Sequence, residues 1–409
     1  MKSIREIFRI GYGPSSSHTM GPRKAAELFL AAHPDAARYQ AHLYGSLSAT
    51  GKGHLTDAAI IDVIPSVEIV WHDEFLPFHP NGMRFCAWDA QDNLLEEWTV
   101  YSVGGGALAE ENQEPGTKNK DSILSTLNSQ LSTDIYPLTR LSDIKEYCDS
   151  QGWDYWEYVE HYEGKEIWDY LREVWKVMCE AVERGLDHEG VLPGPLNLRR
   201  KAASYYIKVA AYKDNLRTRG LVFSYALAVS EENASGGKIV TAPTCGSCGV
   251  LPAVLYHTWR SRDFSETRIL HALATAGLIG NVVKENASIS GAEVGCQGEV
   301  GVACAMASAA VNQLFGGTLA QIEYAAEMGL EHHLGMTCDP VCGLVQIPCI
   351  ERNAFAAARA LDSNMYAAFS DGSHRVSFDK VVEVMKETGH DLPSLYKETS
   401  QGGLAKDYK

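Results

Sequence analysis

Over the first hundred residues the apolar positions change period within short stretches. Residues 22–32 follow a Gly/Pro/Ser loop and repeat apolar positions three and four apart, which predicts a short amphipathic helix. Residues 58–64 and 66–71 are rich in Ile and Val and predict two strands. Residues 78–83, FHPNGM, carry turn chemistry at Pro80, Asn81 and Gly82, and residues 101–106, YSVGGG, end a strand on glycines. From about residue 140 the period becomes helical, clearest over residues 167–184, and Pro193, Gly194 and Pro195 interrupt it. Residues 300–314 are apolar all round and dense in Ala, the mark of a buried helix. The predicted organisation is an α+β chain. Residues 1–107 form an α/β domain, residues 108–138 a polar linker, and residues 139–409 a mainly helical domain.

Composition narrows the partners. Of 409 residues, 36 are Lys or Arg and 52 are Asp or Glu, giving a net charge of −16. That balance argues against binding to nucleic acid or to anionic lipid. The longest apolar run, residues 300–311, is too short to span a bilayer, and MKSIREIFRI lacks the apolar core of a signal peptide. The expectation is a cytoplasmic protein with no membrane and no nucleic-acid partner. Seven of ten cysteines follow residue 240, and disulfides are not expected in a reducing compartment.

Several motifs carry chemistry. GSLSATGKG, residues 45–53, fails as a phosphate loop in glycine placement and lacks the terminal hydroxyl. Cys245 and Cys248 have CxxC spacing without a thioredoxin-like context; a zinc site shared with Cys338 and Cys342 is a minor alternative. GPSSSHT, residues 13–19, gathers Ser15, Ser16, Ser17, His18 and Thr19 before a helix, a place suited to a carboxylate or phosphate. His18, His54 and His79 sit in glycine-flanked loops, where each is either structural or a proton-transfer group. Cys296 lies between glycines ahead of a buried helix, and Cys338 and Cys349 stand eleven residues apart among Gly and Pro. Glycine admits a bulky inorganic group, and thiolates in loops suit iron–sulfur ligation; buried structural cysteines are the alternative.

Read together, IGYGPSSSHTMGP, GSLSATGKGHLTDAAI, HPNGM, YSVGGG, ISGAEVGCQGEVGVAC and TCDPVCGLVQIPCIERN resemble the iron–sulfur L-serine dehydratases, in order from about residue 3 to residue 405. The resemblance implies a β-type N-terminal domain related to allosteric substrate-binding modules, fused to a helical catalytic domain. It implies a [4Fe-4S] cluster on Cys296, Cys338 and Cys349, catalytic histidines at His54 and His79, and the Ser15–Thr19 loop at the active site. His18 and Asn81 join these as expected site residues. Relatives of this kind often end in a tail cysteine that caps the open iron; here the final residues, KDYK, carry none, so water or a carboxylate is the expected cap.

The implied reaction converts the small amino acid L-serine to pyruvate and ammonia. The cluster acts as Lewis acid, His54 takes the α-proton, His79 protonates the departing hydroxide, and the seryl loop with Asn81 orients substrate. Alternatives are the same elimination from L-cysteine, a pyridoxal-phosphate enzyme (for which SFDK, residues 377–380, is a poor Schiff-base motif), or a catalytically silent amino-acid sensor. A homodimer is the expected assembly.

Overall fold

The computed structural model describes residues 1–111, 134–398, 400 and 402–408. The expected linker, residues 108–138, falls largely outside the described residues. Two compact units emerge: residues 12–133, and a second that joins residues 1–11 to residues 134–409.

The smaller unit is a helix-covered sheet. Its strands are β1 (Arg38–Tyr44), β2 (Glu68–His72), β3 (Gly82–Trp88), β4 (Leu94–Val103) and β5 (Ala107–Ala109). They lie in the order β2-β1-β3-β4-β5, with β1 and β2 parallel and the other pairs antiparallel. The register sets Ala41 beside Phe85 and Phe85 beside Trp98 across three strands. The helix Gly21–Ala32 lays Phe29 over this row, its ring 5.5 Å from Phe85 and 6.2 Å from Trp98. Burying such aromatics supplies most of what a small unit can gain from its core.

One sequence expectation is corrected here. Residues 58–64 are not a strand: the helix Thr56–Val63 covers most of them. Their β-branched residues favour strands, yet Thr56, Ala59 and Ile60 are buried on one helical face that packs against Gly21–Ala32. A short apolar run fits either period, and the available partner decided. The helix Gly21–Ala32, the strand β2 and the helix Ile167–Asp187 appear as expected, whereas residues 1–11, expected within the first domain, group with the larger unit.

In the larger unit the helix Val302–Leu314 is the hub, buried on nearly every side. It packs against Val250–Arg262, Glu266–Asn286, Leu319–Glu331 and Cys349–Phe369. The first eleven residues are part of this core. Ile4, Ile7 and Phe8 are fully buried, Asn281 Nδ2 donates to the Lys2 carbonyl at 2.6 Å, and the Ile4 amide donates to Glu163 at 2.7 Å. Among the described residues no helix is long and apolar enough to cross a membrane.

Candidate active site

Two clusters of chemistry-bearing residues appear, one in each unit. In the smaller unit, Ser15 opens a five-residue π-type turn, Ser16–Met20, that leads into the helix Gly21–Ala32. The Ser15 hydroxyl accepts from the His18 amide at 3.2 Å, and the Ser15 amide donates to Thr19 Oγ1 at 3.1 Å. Thr19 in turn donates to the His54 carbonyl at 2.7 Å, and Thr56 donates to the His18 carbonyl at 2.5 Å. The two histidine loops are thereby locked together, with ring centroids 4.5 Å apart. At Gly21 a Cβ would fall 2.0 Å from Ser102 Oγ, so only glycine admits this approach of turn to sheet.

The hydrogen bonds fix what each histidine can do. Thr50 Oγ1 donates its proton to the Ser46 carbonyl at 3.0 Å, so it receives a proton from His54 Nδ1 at 3.2 Å. His54 Nε2 then carries the lone pair, and it is buried with no partner among the described residues. Burial holds the His54 pKa down, at about 4, so the ring is neutral near pH 7. His18 is pushed well below its ordinary value by burial and by His54; its two nitrogens are engaged by Ser46 at 2.9 Å and Ser17 at 3.0 Å. His54 is therefore a free base, and His18 a fixed support. His79 differs again: its Nδ1 accepts from the Asn81 amide at 3.1 Å, which leaves the proton of the neutral ring on Nε2, a donor. Asn81 is buried and spends its side-chain amide on the Ser102 carbonyl at 3.2 Å, so it braces the loop. Ser16 is buried in the turn, and Ser17 is half-buried at its edge.

In the larger unit the three expected cysteines meet from three elements. Cys296 precedes the turn Gln297–Gly301, Cys338 is held by backbone bonds to Tyr396 and Glu398, and Cys349 opens the helix Cys349–Phe369. They are 2%, 5% and 9% exposed. A hydrogen bond from Cys338 holds the Cys296 thiol below its ordinary range, with Arg352 adding to the effect. The same bond, then burial, drives Cys338 well up, and burial drives Cys349 well up. Burial works against the Arg352 charge, but Cys296 outweighs it and raises the Arg352 pKa. Glu299 sits 3.8 Å from Cys338 Sγ and accepts from Thr244 at 2.8 Å; burial pushes its carboxyl up. At Gly291 a Cβ would lie 3.1 Å from Cys338 Sγ and 2.7 Å from Glu299 Oε2, so a side chain there would close the space beside the sulfur. Glu398, half-buried, is pushed up to about 8 by burial and then by Glu299.

Among the described residues no three His, Cys, Asp or Glu side chains stand around a ready-made metal position. The donor set still fits an iron–sulfur group: three buried sulfurs, a guanidinium to balance thiolate charge, and a glycine cradle. Of the cysteines in the zinc alternative, Cys342 is exposed while Cys245, Cys248 and Cys338 are buried.

Sequence reasoning missed Thr50, Ser46, Glu299 and Arg352. Arg352 stands three residues after Cys349 and Glu299 three after Cys296, the spacing that returns a helical turn to the same face. Thr50 and Ser46 lie inside the motif weighed only as a phosphate loop.

The family model described as serine dehydratase alpha chain matches residues 93–405, and that described as serine dehydratase beta chain matches residues 3–64 and 61–113. The L-serine dehydratase TdcG of Escherichia coli (strain K12) is 42% identical over 461 aligned residues, covering 99% of each chain. The L-serine dehydratase of Haemophilus influenzae is 40% identical with 99% of each chain covered, and that of Streptomyces coelicolor 40% with 98%. These alignments exceed the 409 residues of this chain, so the relatives carry segments it lacks; the two-piece beta match puts one near residues 61–64. The chain belongs to the serine dehydratase family, with the beta and alpha parts fused in one polypeptide.

Proposed function

We propose that this lyase removes water and then ammonia from L-serine to give pyruvate, using a [4Fe-4S] cluster on Cys296, Cys338 and Cys349. The observation that carries the reading is the gathering of those three buried thiols, with Cys338 hydrogen-bonded to Cys296 and Arg352 acting on Cys296 and Cys349. The full-length likeness to proteins named L-serine dehydratase supports the substrate.

The bound cluster would supply a Lewis-acidic iron that weakens the carbon–oxygen bond of the substrate hydroxyl. His54 Nε2 takes the α-proton, for which its unpartnered lone pair and neutral ring suit it. The electron pair of that carbon–hydrogen bond becomes the new carbon–carbon π bond as hydroxide departs. His79 Nε2 donates the proton that turns hydroxide into water. Ser15 and Ser17 offer hydroxyls for the substrate carboxylate and ammonium, while Thr19, His18 and Asn81 hold the loops that present them. The released aminoacrylate tautomerises to an imine, and water converts it to pyruvate and ammonia.

The test is anaerobic iron–sulfide reconstitution of the full chain, followed by assay of the 2-oxo acid formed: pyruvate from L-serine and L-cysteine, 2-oxobutyrate from L-threonine. Pyruvate from L-serine with the highest kcat/KM, together with bound iron and sulfide, is expected. Turnover of L-cysteine above L-serine would replace the substrate, and turnover without iron would overturn the cofactor.

A further inference from the structure

A cavity of about 690 Å3 opens in the larger unit, lined by side chains of the helices Leu319–Glu331 and Cys349–Phe369 and of residues 373–376. None of its lining residues belongs to either cluster described above. Glu327 lies in its wall, only 5% exposed, and no hydrogen bond or ion pair reaches its carboxylate among the described residues. Burial, and then the like charges of Glu331 and Glu323, push it up to about 7. One turn earlier, Glu323 is answered from within the protein, by Lys145 at 2.6 Å and His374 at 3.8 Å. A buried carboxylate left without such an answer is costly, and folds seldom retain one unless something else supplies the charge.

The rest of the lining says what that is. Tyr324 and Tyr366 meet edge to face at 6.0 Å, and Tyr324 is stacked on His374 at 4.5 Å. Aromatic faces beside a carboxylate suit an ammonium group. Arg359 and Arg375 line the same cavity, are exposed, and have no ion pair among the described residues. The nearby carboxylate of Asp362 is taken by Arg219 at 2.8 Å. Free guanidinium groups are forks for a carboxylate.

We propose that this cavity is a second binding site for a small free α-amino acid, its ammonium on Glu327 and its carboxylate on Arg359 and Arg375. The site is independent of the elimination reaction.

The test uses L-alanine, which has no β-leaving group, in equilibrium dialysis against the reconstituted full chain, with propionate and ethylamine as half-ligands. L-Alanine should bind, and neither half-ligand should match it. Glu327→Gln and Arg359→Gln should each weaken a site for L-alanine by at least about tenfold, the worth of one charge-assisted bond. Arg359 is exposed, so its variant keeps the test open if Glu327→Gln fails to fold. Unchanged L-alanine binding in Arg359→Gln, absence of binding to the native chain, or ethylamine binding as well as L-alanine would each overturn the proposal.

Discussion

The two clusters bury their polar chemistry in opposite ways. In the smaller unit the imidazoles of His18 and His54 are enclosed without counter-charge among the described residues, so burial keeps them neutral and hydrogen bonds set their tautomers. In the larger unit thiols are enclosed with a guanidinium among them, so one sulfur is drawn towards thiolate while its neighbours are held protonated. The first arrangement makes a base by withholding partners. The second prepares negative charge and would be satisfied by a cation. Low dielectric serves both, because it penalises whichever charge lacks a partner.

The sharpest way to break the comparison is at the sulfurs. Cys349→Ser should abolish turnover and bound iron together, whereas Cys304→Ser, on the far more uniform apolar helix Val302–Leu314, should keep iron near the native content. A full iron complement in Cys349→Ser would remove it from the ligand set. Next in size, His54→Ala should lower kcat by roughly 10²–10⁴-fold, with iron and sulfide unchanged. Exchange of solvent deuterium into the α-carbon at the native rate would exclude His54 as the base.

The neutral imidazole also predicts an acid limit. The folded pKa of His54, about 4, lies below its ordinary 6.5, so folding favours the neutral ring. Its contribution is complete above pH 6.5 and is lost as the pH falls through 4, by about 3 kcal/mol. Urea denaturation at pH 7.5 and pH 4 should therefore show a smaller acid loss in His54→Gln than in the native chain. Equal losses would mean that His54 is not buried neutral. The smallest expected effect is at Thr50. Thr50→Val removes the acceptor of the Nδ1 proton while keeping the shape, and should cost roughly tenfold in kcat, the worth of about one hydrogen bond. Native kcat in that variant would show that the tautomer is not set there.

The family was legible because it rests on contiguous stretches, and the three cysteines proposed as ligands lie within them. Cys296 among glycines, TCDPVCGLVQIPC and GKGH each hold their chemistry within a few residues. The buried hub helix was legible too, since a segment apolar on every side has nowhere to go but inside. Residues 58–64 were not, because a short run with six apolar positions of seven satisfies both a strand and a helix until Gly21–Ala32 offers a face to pack on.

What the sequence by itself determined is therefore the type of chemistry and the two structural regimes, both written in local composition and period. Tertiary structure alone decided which groups share a low-dielectric space. It drew Met1–Gly11 into the helical unit through Asn281 and Glu163, set Arg352 beside Cys296 and Cys349, and left His54 Nε2 without a partner among the described residues while giving Nδ1 one. It also separated Glu323, which has Lys145, from Glu327, which has no ion pair among the described residues. The two glutamates stand one helical turn apart in the chain and look alike there. The strength of a charge depends on its surroundings in three dimensions, and those come from residues distant in sequence.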